Sequence, residues 1–285
     1  MSVFLLLLLL VTFLLMSRRA HAATPDSPIL VVATYAYPER DRAASIRPLA
    51  EYLGTQLQRS VEVRVLPSPT ALIDAMQAGQ VDVAVPNLYG YLLATREPGP
   101  LQALPVPDVP PVQAQRYRSV IVARQPMTMQ QLAARAGQLR LGLVGRDSAS
   151  GGFVPLSGLR QAGVDGDDFA SVAYAGSHHA ALHILGDKQV DVVALAADVF
   201  DSSARGGLYE VWRSPVIPPG PLLCRSSAAT NCGEVASALL RADQHDARVM
   251  AGLRAGWPEF GDAQRLVEPA RQALQELARN LQPDP

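Results

Sequence analysis

The chain has 285 residues, 48% hydrophobic, 6% aromatic and 18% charged, with a formal net charge of −1. That length supports one large or two medium domains with a buried core, and the near-neutral balance leaves no basic field for nucleic acid or an anionic membrane. Lys188 is the only lysine, which removes Schiff-base chemistry and the P-loop lysine.

In chain order, the apolar run Val3–Met16 spans 14 residues and is followed by Ser17-Arg18-Arg19 and Ala20-His21-Ala22. At about 1.5 Å per residue it reaches about 21 Å, short of the roughly 30 Å hydrocarbon core. A short apolar run closed by small-x-small residues reads as a secretory signal over residues 1–23, cut after Ala22 or Ala23. Its positive charges follow the run rather than precede it, so an uncleaved anchor is the alternative. Cleavage leaves 23 basic and 26 acidic side chains, a net charge near −3.

Ile29–Thr34 reads as a buried strand, Ala43–Leu57 as a helix by its apolar spacing, and Val61–Leu66 as an alternating strand. Thr70–Ala78 is helical and Val81–Val85 is a third strand, giving a βαβαβ order with a parallel sheet. Gly99–Gln113 is proline-rich and reads as a loop. The alternation then restarts: Ser119–Ala123 is apolar, Met127–Arg135 a helix and Leu139–Val144 a strand. A turn at Gly145–Gly151 leads into helix Gly152–Ala162, strand Ser171–Tyr174, helix His178–Leu185 and strand Val190–Leu195. The end of the chain reads as helices Gly233–Ala242, Asp246–Ala255 and Ala263–Leu281. A pattern written twice implies two α/β lobes, with Ser119–Ala123 and Val216–Leu223 as candidate crossings and a ligand cleft between them. The expected division is 27–118 with 222–285, against 119–221.

Export places Cys224 and Cys232 in an oxidising compartment, where a disulfide outranks metal ligation or redox catalysis. Closing that loop contributes about 2–3 kcal/mol. Two unpaired thiols are the other reading.

The most informative stretch is Gly145-Arg146-Asp147-Ser148-Ala149-Ser150-Gly151-Gly152, between a strand and a helix. Free N–H groups and the positive helix end make an anion site there, and Ser148 and Ser150 add hydroxyl donors. An ordinary N-cap explains the same residues. His179 and His183 have i, i+4 metal-ligand spacing, yet no further ligand motif accompanies them, so no metal and no cofactor is expected. His178 instead opens a helix and can donate to an anion. Asp82 and Asp191 repeat the phrase Gln-Val-Asp-Val in both lobes and read as structural strand-entry carboxylates. Asp198 is the better cleft candidate, or a helix cap. Tyr35, Tyr37, Tyr89 and Tyr91 lie near strand ends, where a phenol reaches a cleft or packs in the core; Trp212 and Trp257 read as buried anchors.

Seven segments in order carry a resemblance: Pro48–Leu53, Ala78–Ala84, Asp147–Gly151, Tyr174–His178, Lys188–Val192, Trp212–Pro218 and Gly256–Phe260. Over roughly Ile29–Leu277 the chain resembles the phosphonate/phosphite/phosphate-type periplasmic substrate-binding proteins of ABC importers. The resemblance implies an α/β, two-lobed type II binding-protein fold that closes on its ligand about two crossover strands. It implies a small phosphorus oxyanion held by Ser148, Ala149, Ser150, Gly151 and His178, with Tyr89 the nearest substitute for a first-lobe tyrosine. Asp198 matches an acidic position that faces the ligand amine in aminophosphonate binders. The second such acid falls at Gly220 and another family tyrosine at Pro69, so the anion half is kept and the recognition half altered. The expected protein is a periplasmic monomer, not an enzyme, partnered by an ABC permease and not by nucleic acid. The alternatives are a periplasmic sensor coupled to a membrane partner, motivated by the N-terminus, and a hydrolase using Ser148 or Ser150 with His178.

Overall fold

The structure, a computed structural model, describes residues 28–96, 98–203 and 206–281. The expected export segment, residues 1–23, lies outside them. β1 (Leu30–Tyr35) leads through α1 (Arg42–Leu57) to β2 (Val61–Leu66), α2 (Pro69–Gln77), β3 (Val83–Ala84) and α3 (Leu88–Ala94). Strands β4 (Leu101–Ala103) and β5 (Val106–Pro107) and a helical turn, α4 (Pro111–Ala114), occupy the proline-rich stretch. A second series follows with β6 (Ser119–Ala123), α5 (Met129–Ala134) and β7 (Arg140–Leu143). A π-helical turn at Ala149–Phe153 runs into α6 (Val154–Gln161), then β8 (Ser171–Tyr174), α7 (His178–Gly186), β9 (Val192–Ala196), α8 (Ala197–Ser202) and β10 (Tyr209–Arg213). The chain ends through β11 (Leu223–Arg225), α9 (Cys232–Leu239), α10 (Ala242–His245), α11 (Arg248–Gly256), β12 (Leu266–Val267) and α12 (Arg271–Asn280).

The main strands build two five-stranded sheets, ordered β2-β1-β3-β11-β4 and β10-β6-β9-β7-β8. In each, three strands are parallel: β1 with β2 and β3, and β7 with β8 and β9. An antiparallel strand then joins each set, β11 beside β3 and β6 beside β9. The two halves therefore share one topology. Each sheet has a core on both faces: Leu49, Leu53, Val235, Leu253 and Trp257 cover one face of the first, and Leu72, Met76 and Leu92 the other. Leu132, Leu141 and Leu159 cover one face of the second sheet, and Val120, Leu185 and Phe200 the other.

The repeated Asp works identically in both halves. Asp82 Oδ2 accepts the Val31 N–H at 2.9 Å, and Asp191 Oδ2 accepts the Arg140 N–H at 3.0 Å. Each carboxylate thus satisfies a backbone donor at the start of a neighbouring strand, the second residue of β1 and the first of β7. Hydrogen bonds from the Arg140 side chain, foremost, hold Asp191 at about 2. Its depressed value stabilises the fold above the usual carboxylate range, and that contribution is lost as the pH falls toward 2.

Three local readings change. The helix expected over Ala263–Leu281 begins only at Arg271, because Pro269 cannot donate in a helix interior and restricts the residue before it. The preceding residues form β12, paired antiparallel to β5, so the proline-rich stretch is partly strand. Ser119–Ala123 is not itself a crossing but an interior, wholly buried strand of the second sheet. The chain passes between halves just beside it, where Ile217 N–H donates to Tyr117 O at 2.8 Å and Ser214 N–H to Ser119 O at 2.9 Å.

Cys224 and Cys232 form a disulfide with Cα atoms 5.7 Å apart, joining β11 to the start of α9. Replacing both with serine should lower stability by about 2–3 kcal/mol in equilibrium denaturation. An unchanged midpoint and slope would contradict a stabilising role.

Candidate functional site

A cavity of about 540 Å³ opens between the two halves, at the C-terminal ends of their parallel strands. This is where open α/β sheets place ligands, because the strand ends leave free loops and helix N-termini there. Tyr35 and Tyr37 come from the end of β1, Asn87 from the end of β3, and the 145–150 loop from the end of β7. His178 follows β8, Asp198 follows β9, Tyr117 lies on a crossing and Glu259 on the turn after α11.

The 145–150 loop is built for exposed amides. Ser148 caps the helical turn, its Oγ accepting the Gly151 N–H at 3.2 Å. The N–H groups of Ala149 and Ser150 have no acceptor among the described residues and sit at the positive end of a continuous helix. The Ser148 hydroxyl proton stays available because its oxygen, not its hydrogen, makes the cap. Ser150 is 1% exposed and within hydrogen-bonding reach of the Tyr117 hydroxyl. The glycines serve backbone packing: a Cβ on Gly152 would meet Gly145 O at 1.9 Å, and one on Gly151 would meet Val144 Cγ2 at 2.3 Å. Gly152→Ala should therefore destabilise by about 1–3 kcal/mol, read from thermal melting. A variant as stable as the parent would show that the loop can relax away from its strand.

His178 is the first residue of α7, which Ser177 caps by accepting the Ala180 N–H at 3.1 Å. The Ala196 N–H donates to His178 Nδ1 at 3.1 Å, so Nδ1 carries no proton and Nε2 is the N–H of the ring. Burial, the largest cause, pushes the imidazole down to about 4. Neutral His178 thus supplies a fixed Nε2–H donor. The unfolded imidazole takes up a proton near pH 6.5 and the folded one only near 4, so stability is lost as the pH falls through that window. The His178 ring resonances should stay flat from pH 8 to about pH 5 in NMR titration. A midpoint near 6.5 would contradict the neutral donor.

Both halves meet across the cleft. Asn87 caps α3 through Oδ1 and donates from Nδ2 to Asp147 O at 2.8 Å. The His178 N–H reaches the Tyr37 hydroxyl oxygen at 3.4 Å, and His179 Nδ1 lies 2.9 Å from Glu39 Oε2. Burial alone would raise Glu39, but hydrogen bonds from Ser177 and His179 outweigh it and hold the carboxyl below its usual range.

Of the residues singled out from sequence, Ser148, Ala149, Ser150, His178 and Asp198 line the cavity together with Tyr35 and Tyr37. Gly151 lies just behind, its N–H spent on Ser148 and its carbonyl on the Val144 N–H. Tyr89 lies outside the lining and packs edge-on against Phe153, ring centroids 5.4 Å apart. Tyr91 is buried in the core beside it. Gly220 sits against the Asn87 backbone, where a Cβ would meet Asn87 C at 3.0 Å, so an acidic side chain has no room there. No group of three or more His, Cys, Asp or Glu side chains among the described residues is placed to hold a metal ion.

Sequence reasoning missed Arg42, Asn87, Tyr117 and Glu259, which line the same cavity. Arg42 left one signal: a cation in the first turn of a helix opposes the dipole. Its guanidinium lies over the Trp257 ring at 4.0 Å and the Tyr35 ring at 4.7 Å. Burial pushes the Tyr35 phenol up to about 12 and holds the Tyr117 phenol well above its ordinary value, so both are neutral hydroxyls in the cleft.

Two halves of one topology, crossed twice and enclosing a cleft into which polar and charged side chains project, define a two-lobed type II binding protein. The family described as ABC transporter, phosphonate, periplasmic substrate-binding protein matches residues 31–265, and the chain belongs to it. Solved structures show the same fold. PhnD1 from Prochlorococcus marinus in complex with methylphosphonate superposes with a TM-score of 0.67 at 16% identity, covering 88% of this chain and 96% of that one. XAC2383 from Xanthomonas citri bound to ATP gives 0.71 at 19% identity, covering 90% and 98%. The aliphatic sulphonate binding protein SsuA from Escherichia coli gives 0.56 at 15% identity, covering 90% and 86%.

Proposed function

We propose that this protein captures a small phosphorus oxyanion (phosphonate, phosphite or phosphate) in its cleft and presents it to the transmembrane permease of an ABC importer. It acts in the periplasm as a monomer, without catalysis, cofactor or nucleic acid. The halves, 28–118 with 222–281 and 119–221, close about the paired crossings at Tyr117–Ser119 and Ser214–Ile217. The oxyanion then rests against the Ala149 and Ser150 amides, the Ser148 and Ser150 hydroxyls and His178 Nε2. The observation that carries this reading is the Ala196 N–H bond to His178 Nδ1, which fixes a neutral donor beside a loop of unspent amides. Charge-assisted hydrogen bonds to such neutral donors contribute about 1.5–3 kcal/mol each.

Calorimetric titration with methylphosphonate, phosphite and phosphate tests it. At least one should bind, and His178→Ala should weaken it by about tenfold to a hundredfold. Binding of none of the three would overturn the oxyanion reading, and an unweakened variant would remove His178 from the site.

A further inference from the structure

The cleft holds charges that an oxyanion does not use. Arg42 is 6% exposed and lines the cavity. Three rings cage its guanidinium, with centroids at 4.0 Å (Trp257), 4.7 Å (Tyr35) and 5.6 Å (Tyr37). Ring faces offset the desolvation of a cation, but they give the fork of N–H donors no lone pairs in its plane. Nε and Nη1 accordingly have no acceptor, and Arg42 makes no ion pair among the described residues. The Tyr35 hydroxyl is within hydrogen-bonding reach of the guanidinium, and the two donors left over are costly to a fold unless something else occupies them.

Two carboxylates face the same cavity. Glu259 and Asp198 both line it, and neither makes an ion pair among the described residues. They lie on opposite halves yet close enough to act on each other: burial, foremost, and the Asp198 charge raise the Glu259 carboxyl, while the Arg42 charge opposes that. The other charged side chains of the lining are engaged: Glu39 with His179, Arg40 on the Ala255 carbonyl, and Asp147 with Thr70. Those hydrogen bonds leave Arg42, Glu259 and Asp198 the least engaged of the lining charges, one planar cation and two carboxylates that suit the two charges of a zwitterion. A guanidinium fork matches a carboxylate bidentately, and paired carboxylates match an ammonium. The cavity, about 540 Å³, falls among the roughly 300–1,000 Å³ pockets that bury drug-sized ligands, far more than one tetrahedral group fills.

Resting on the oxyanion reading of the Ser148–His178 end, we propose that the ligand is a phosphonate or phosphoester carrying an α-amino acid head, its carboxylate docked on Arg42 and its ammonium between Glu259 and Asp198. Specificity then lies in Arg42, a cation placed where its own helix disfavours it.

The test is calorimetry with 2-amino-3-phosphonopropionate, phosphoserine, 2-aminoethylphosphonate and methylphosphonate. The first differs from 2-aminoethylphosphonate in the carboxylate alone. It should bind at least about tenfold tighter, and Arg42→Gln should bring that ratio near one. Phosphoserine matching or exceeding 2-amino-3-phosphonopropionate assigns the phosphoester form; the reverse assigns the phosphonate. A ratio near one in the unaltered protein, with methylphosphonate still bound, overturns the amino acid head and leaves the oxyanion reading standing. Failure of every compound overturns both. If Arg42→Gln fails to fold, Arg42→Lys takes its place: it keeps the charge without the fork and should reduce the ratio, and an unreduced ratio removes Arg42 from recognition.

Discussion

A chain that leaves one half at Tyr117 and returns at Ile217 must leave a seam between two halves that each carry their own sheet, and the functional features follow from that constraint. Each sheet satisfies its own strands and covers both faces with helices, and of the resulting cores one runs across the seam, where Ala149, Phe153 and Val154 join Leu72 and Leu88. The seam cannot be closed by strand pairing beyond the crossings themselves, where Tyr117–Ser119 and Ser214–Ile217 hydrogen-bond side by side. Strand ends, helix starts and polar loops therefore face each other across it. Parallel strands point their C-terminal ends, and the following helix N-termini, into that space.

Where the seam opens into the cleft, helix caps order its loops. Ser148, Ser177 and Asn87 each spend a side-chain oxygen on a helix N–H, which orders the loops without filling the cleft. His178 goes further, because the bond from Ala196 decides which ring nitrogen carries the proton. Away from the seam the same economy appears in Asp82 and Asp191, two carboxylates in equivalent positions that each bind an N–H near the start of a strand. Contacts between the halves are of two kinds: polar ones such as Asn87 to Asp147 and His179 to Glu39, and an apolar patch where Ala149, Phe153 and Val154 pack with Leu72, Leu88 and Tyr91.

Much of this was legible in the sequence because it rests on local rules. Val61–Leu66 alternates and forms β2; the Gln-Val-Asp-Val phrase repeats and so does its structure; Ser148 and His178 sit where a strand gives way to a helix. The fragments that escaped depend on distant partners. Strand β10, with Glu210 and Arg213 at its surface, carries no apolar run, and is made a strand by β6. Arg42 reads as an ordinary first-turn residue until β1 and the end of α11 bring Tyr35 and Trp257 to its guanidinium. Tyr89 lies two residues past Asn87, the last residue of its segment to reach the cavity, and its ring packs on Phe153 instead. Glu259 lies in the Gly256–Phe260 segment that carries the resemblance, but nothing local marks it as a cleft residue; only closure of the chain brings it to the cavity that Asp198 also lines.

The most direct test of the central claim is a crystal structure of the protein grown with methylphosphonate. The account places the phosphonate oxygens within about 3 Å of the Ala149 and Ser150 amides, the Ser148 and Ser150 hydroxyls and His178 Nε2, with the two halves drawn together. Methylphosphonate found elsewhere, or a cleft left empty while calorimetry reports binding, would contradict it.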